Sequence, residues 1–162
     1  MTEGIPVVRM YTDNSGHTRF AKMQIPVESK TGLGSVGLFS SLFLNQNIHD
    51  NTGDLKTQFA LTPVPDNLKG EGPKLAHTAP RRQLVLTLSG CLEFKSCDVD
   101  KDDAEYKVTI RRGDILLAED LEGAGHVWKF VESSDGNFYS WIRCYIHLGE
   151  EYDHFVSQLI PI

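Results

Sequence analysis

His77-Thr-Ala-Pro-Arg-Arg-Gln83-Leu-Val-Leu-Thr-Leu-Ser-Gly90 passes from a proline-broken polar segment into a strand and stops on a glycine. Gln83 to Ser89 and Cys91 to Ser96 are predicted strands hinged at Gly90, because a lone glycine between apolar runs marks a bend. Further on, Glu119-Asp120-Leu-Glu-Gly-Ala-Gly-His126 brings a second histidine in after a glycine-rich turn. Polar groups of catalytic type therefore stand where turns meet strands, the arrangement expected of an all-β chain with an interior site.

The pattern of short apolar runs and turn residues extends in both directions. Val7 to Tyr11 is a predicted strand. Thr12-Asp13-Asn14-Ser15-Gly16 is a turn, since Asn, Asp and Gly tolerate left-handed backbone, and Arg19 to Pro26 is a second strand. Val27 to Gly37 is expected to be a loop from its Gly, Ser and Lys content. Leu38 to Asn45 is apolar, a strand or one buried helical turn, and Asn45 to Asp54 is a turn region. Gln58 to Pro63 is a strand and Pro63 to Pro73 a loop.

Downstream, Tyr106, Val108 and Ile110 alternate with Lys107, Thr109 and Arg111, the period of a half-buried strand. Arg112-Gly113-Asp114 turns the chain into Ile115 to Ala118. His126, Trp128 and Phe130 alternate in the next strand, Ser133 to Asn137 is a hairpin turn, and Phe138 to Leu148 is a long return strand. Only Glu150 to Gln158 has helical character. Many short, evenly spaced strands argue for a sandwich or a closed barrel.

A chain of 162 residues is expected to form one domain with a full core. Its net charge of −6 comes from interspersed charges, and Arg81-Arg82 and Arg111-Arg112 are too isolated for a nucleic-acid footprint. No run of about 18 apolar residues exists to span a membrane. The N-terminus has no basic region leading into an apolar stretch, so a cytoplasmic protein is expected. Cys91, Cys97 and Cys144 lack zinc-type spacing and are expected to be free thiols, although Cys91 and Cys97 flank a segment short enough to let them meet.

The quoted segments resemble the two motifs of the cupins. His77 takes the first histidine position, Ala79 the second, Gln83 the glutamate position and Gly90 the closing glycine. Gly113 opens the second motif and His126 ends it, through a turn longer than usual and without proline. Within the cupins, the chain is similar to a group of small single-domain members. These share Ala79-Pro-Arg-Arg-Gln83 with its Leu-Ser-Gly end, Gly113-Asp114 through Glu119-Asp120 to His126, and an Arg9-Met-Tyr-Thr-Asp13 strand. The resemblance covers residues 6 to 148. It implies a jelly-roll β-barrel over 1–162, with N-terminal strands in 6–63, a motif core in 77–148 and a short irregular or helical tail. It also implies a homodimer through edge strands or exchanged N-terminal segments, with Val7 to Tyr11 the strand suspected.

His77, Gln83 and His126 occupy three of the four ligand positions at which cupins hold a divalent metal. Iron, nickel, zinc or copper would be the candidates. Ala79 vacates the fourth, and a neutral glutamine is a weaker donor than a carboxylate. Without metal, His77 and His126 would face each other across the cavity as general acid and base, with Glu119 or Asp120 orienting His126. Arg81 shares the parity of His77 and Gln83 and would grip a carboxylate, phosphate or enolate oxygen. Gln83 would position a carbonyl or hydroxyl. Tyr139, Trp141, Arg143 and Tyr145 alternate on one strand face, and with Trp128 they would wall a site for an aromatic or planar ligand. His17, His49, His147 and His154 are expected at the surface.

Three function classes follow. An enzyme acting on a small organic metabolite inside the barrel, of isomerase, lyase or cyclase type, is favoured by the family resemblance. A non-catalytic metabolite-binding cupin and a metal-dependent cupin oxygenase are the alternatives. A pure scaffold would fill these inward positions with apolar side chains, because burying unpaired His, Gln and Arg is costly. His126→Ala is expected to abolish binding or turnover with little change in thermal midpoint.

Overall fold

The structure, a computed structural model, describes residues 4–30, 34–37, 57–64, 75–99, 103–149 and 152–162. It is built of strands: β1 (Gly4–Thr12), β2 (Thr18–Lys30), β3 (Gly34–Gly37), β4 (Thr57–Thr62), β5 (Gln83–Ser89), β6 (Cys91–Ser96), β7 (Lys107–Arg111), β8 (Ile115–Glu119), β9 (His126–Phe130), β10 (Trp141–His147) and β11 (Ile160–Pro161). The single described helix is α1 (Tyr152–Ser157). An eight-stranded sheet runs β11-β2-β1-β8-β5-β10-β4 with β3 paired to β2, and β7-β6-β9 form a second sheet.

The two faces of the larger sheet follow from strand parity. In β5, Gln83 and Val85 stand beside Ala118 and Leu116 of β8, and beside His147 and Tyr145 of β10. These residues face the three-stranded sheet. Leu84 and Leu86, one residue out of step, lie with Leu117, Ile115, Ile146 and Cys144 on the opposite face. Both faces are covered, so Gln83-Leu-Val-Leu reads as a nearly continuous apolar run rather than an alternation.

Two cores result. Met10, Phe20, Val85, Leu92, Phe94, Ile110, Leu116, Phe130 and Trp141 fill the space between the sheets. Val7, Ile25, Leu84, Leu117, Cys144 and Ile146 pack on the far side beneath Phe155 of α1 and Leu159. Full burial of a leucine such as Leu117 contributes about 2 kcal/mol.

Several expectations need correction. Val27 to Gly37 is not a loop: Val27–Lys30 of β2 pairs with Gly34–Gly37 of β3. Composition does not reveal backbone pairing, which Ser and Gly make as well as valine does. The return strand begins at Trp141, not Phe138, because the turn closes at Asn137 and residues 138–140 lead irregularly into β10. Val7 to Tyr11 is no free edge, since β1 is hydrogen-bonded to β2 on one side and β8 on the other. An edge of the described sheet is β4, which carries exposed Phe59 and Leu61. Cys91, Cys97 and Cys144 are free. Leu38 to Asn45, Asn45 to Asp54 and most of Pro63 to Pro73 lie outside the described residues. Among the described residues no helix is long and apolar enough to cross a membrane.

Candidate functional site

The two quoted segments meet through their backbones. The His77 N–H donates to the His126 carbonyl at 3.1 Å and the His126 N–H to the His77 carbonyl at 2.9 Å, an isolated antiparallel bridge. Gly125 permits it. Its φ is +76°, and a Cβ there would stand 2.5 Å from the His77 carbonyl oxygen, so any other residue would push the segments apart. The two imidazoles consequently lie side by side, with centroids 4.5 Å apart at a 56° tilt. They do not face each other across a cavity as the sequence suggested.

Asp120 follows β8 directly and is fully buried. Its Oδ2 accepts from His126 Nδ1 at 2.6 Å and from the Thr18 hydroxyl at 3.1 Å, and its Oδ1 accepts from the Ala79 N–H at 3.3 Å. A buried carboxylate held by three donors is the arrangement that burial demands. Nδ1 is thus the ring nitrogen engaged with Asp120, and with Nδ1 donating, Nε2 is the acceptor of a ring that lines the cavity. Of the two acids considered for this role, Asp120 therefore takes it. Glu119 pairs instead with Arg9 Nε, and its Oε2 is buried without a hydrogen-bond partner. Burial pushes the Glu119 carboxyl above its usual range, outweighing the pull of Arg9.

A cavity of about 450 Å³ lies between the sheets. His77, Arg81, Gln83, His126, Trp128, Trp141 and Arg143 all line it. Arg81 reaches it from a segment that is not a regular strand, so strand parity is not what places it there. Tyr139 does not belong to the wall. It is exposed in the irregular segment between the turn and β10, where its hydroxyl bonds to Asp135, because the strand alternation invoked for it starts only at Trp141.

Three further polar side chains line the cavity: Gln58, Tyr145 and His147. His147 was expected at the surface, yet its parity with Trp141, Arg143 and Tyr145 already placed it on the inner face. Gln58 enters because β4 pairs with β10 opposite Tyr145, a register that sequence alone does not disclose.

Arg143 stacks on Trp141, its Cζ 3.9 Å from the ring centroid, and also approaches the Tyr145 ring at 5.2 Å. Its Nε donates to the Tyr145 hydroxyl and its Nη1 to the Thr62 hydroxyl at 2.8 Å. Trp128 and Trp141 meet edge to face at 5.2 Å. No family model, curated protein or solved structure matches this chain. What the site can do rests on its own geometry.

The metal set that the resemblance implies fits these residues poorly. His77, Gln83 and His126 share the cavity, but they offer two imidazoles and a neutral carboxamide, a weak donor set for a divalent ion even though the Asp120 bond at His126 Nδ1 leaves Nε2 able to coordinate. Among the described residues no three His, Cys, Asp or Glu side chains converge on a common point. What remains is a pair of adjacent imidazoles, one backed by a carboxylate, in a cavity shared with Gln83 and Arg81.

Proposed function

We propose that this chain is a cupin-type enzyme that moves a proton on a small organic molecule held between its sheets. The observation that carries the proposal is the Asp120–His126 pair, with its second ring nitrogen left for a cavity that holds a metabolite-sized ligand. Two facing β-sheets around a cavity that takes in polar side chains support the jelly-roll assignment.

His126 Nε2 takes a proton from a carbon next to a carbonyl. The C–H electron pair moves into the carbon framework, and the carbonyl oxygen becomes an enolate oxygen. Gln83 and Arg81 supply donors for that oxygen. The proton returns from His126, or from the adjacent His77, to the same carbon or to a neighbouring one, giving exchange or isomerisation; in an elimination the enolate pair instead expels a group from the next carbon, and that group departs with the proton. Asp120 holds the tautomer and is a positioning residue.

A panel of carbonyl compounds with an acidic C–H, incubated in D2O and followed by proton NMR, tests this. Wild-type protein is expected to exchange that hydrogen faster than buffer does, and His126→Asn is not. Exchange that survives in His126→Asn would move the base elsewhere. Saturable binding with no exchange across the panel would make the protein a metabolite-binding module.

A further inference from the structure

The charge inventory of the cavity opposes that of the chain. The protein carries 22 acidic and 16 basic residues. Yet the cavity wall contains Arg81, Arg143 and three histidines, with no aspartate or glutamate among its lining residues. The other well-placed arginines are neutralised: Arg9 pairs with Glu119, and Arg19 with Asp13 and Glu105. Arg143 differs. Its contacts are the Trp141 ring, the Trp141 carbonyl and the hydroxyls of Tyr145 and Thr62, all neutral. Among the described residues no carboxylate pairs with it, and none accepts from its Nη2.

A half-buried guanidinium without a counter-charge is costly to keep, unless a ligand supplies the charge. Here the guanidinium plane is held against an indole and pinned by two hydroxyls, so the edge it presents is pre-organised for a planar anion. A continuous series of ring contacts leads from it to the proposed base. Arg143 lies on Trp141, Trp141 meets Phe94 at 5.8 Å, and Phe94 meets His126 at 5.6 Å. These tilted and edge-on rings wall the side of the cavity between the cation and the proposed base, and with Trp128 they suit a planar ligand.

We propose that the cavity takes an organic carboxylate with a planar unsaturated body, and that Arg143 anchors the carboxylate. The proposal rests on the cavity being the ligand site and names the substrate class of the acid/base enzyme. A carboxylate is favoured over a phosphate by the donors present. Phosphate sites draw on free backbone N–H groups at helix N-termini or nests, whereas much of this wall is contributed by paired strands.

Both tryptophans of the chain, Trp128 and Trp141, line the cavity, so intrinsic fluorescence reports on it directly. Benzoate, benzamide and phenyl phosphate are the probes. Benzoate is expected to quench saturably and to bind about tenfold or more tighter than benzamide, and tighter than phenyl phosphate. Arg143→Gln is expected to erase the benzoate preference while leaving benzamide affinity unchanged, and Arg143→Lys to retain part of it. Equal affinity for acid and amide, a preference for phenyl phosphate, or no quenching by any probe overturns the proposal. An unchanged ratio in Arg143→Gln does the same. If Arg143→Gln does not fold, the wild-type ratio and Arg143→Lys decide. The two proposals fail separately. Loss of the benzoate preference with His126-dependent deuterium exchange intact removes only the anchor, and a benzoate preference without exchange removes only the proton-transfer step.

Discussion

Asp120 serves both the fold and the proposed chemistry, and the two are separable by substitution. Asp120→Asn keeps the shape but offers one acceptor oxygen where the carboxylate offered two, so Thr18, Ala79 and His126 Nδ1 can no longer all donate to it and the charge that backs His126 is lost. The expected result is a kcat lower by about a hundredfold or more, with KM little changed. A parallel loss in both constants would make Asp120 purely structural. For His126 the structure revises the sequence expectation of an innocuous alanine. His126→Ala strands a fully buried carboxylate and is expected to cost about 3 kcal/mol in urea denaturation. His126→Asn, which retains a donor, is expected to recover most of that stability and none of the activity. Glu119 tests the opposite side of the same turn. Burial raises its carboxyl, so the folded state binds its proton more tightly than the unfolded chain does. Its contribution to stability is therefore largest at low pH and is lost as pH rises through the folded value. Glu119→Gln is expected to gain stability relative to wild type between pH 4 and 7, and a gap that narrows over that range would contradict it. The roles of neighbouring acids at 119 and 120 were not separable in sequence. Adjacent residues at a strand end point to opposite faces, and only the path of the chain past β8 decides which meets His126.

At the scale of elements, turns carry much of the specification, and they were also the most legible parts. The β1–β2 turn is held by Asp13. Its Oδ1 accepts from the N–H groups of Ser15 and His17, and its Oδ2 from Arg19 Nε at 2.7 Å. The Arg19 bond, seconded by the backbone donors, holds the Asp13 carboxyl below its usual range. That stability is present above the ordinary carboxylate pKa and is lost as pH falls through the depressed one. Asp13→Asn should therefore have a lower Tm than wild type at pH 7, with the deficit closing in acid. A constant offset would mean that the Arg19 charge plays no part. Gly125→Ala acts on the site itself. Forcing apart the His77–His126 bridge is expected to cost about 2 kcal/mol and to reduce benzoate binding, measured by the same quenching assay. The sequence showed these turns because Gly, Asn and Asp have few other uses at such spacings. It did not show the β2–β3 ribbon, whose Ser- and Gly-containing strands look like loop. Nor did it show that β10 starts at Trp141, since Phe138 and Tyr139 continue the alternation on paper while their backbone is not yet in a strand.

Over the whole molecule, the larger sheet separates two apolar layers that serve different ends. The layer between the sheets holds the cavity, with Trp141, Phe94 and Val85 both in the core and in the wall. The layer on the far side touches the cavity only through the sheet itself, and is closed by Phe155 of α1 and by Leu159. Sequence composition foretold an all-β chain with a helical tail. It did not foretell that the tail is a lid on a second core, because a six-residue helix advertises no partner. The division has a measurable consequence. Phe155→Ala removes a buried ring from the far layer and is expected to cost about 3 kcal/mol, which lowers Tm by about 10 °C for a chain of this length. Cys144 lies in the same layer, and burial raises its thiol pKa and keeps it from reacting. Loosening the lid should therefore speed its modification by a thiol reagent, while exposed Cys97 reacts at an unchanged rate and serves as the internal control. Benzoate affinity should be unaffected at temperatures where the variant is folded, since Phe155 packs in the far layer. Loss of benzoate binding in step with faster Cys144 labelling would show that the two layers are one cooperative unit and that the sheet transmits the state of its tail to the site.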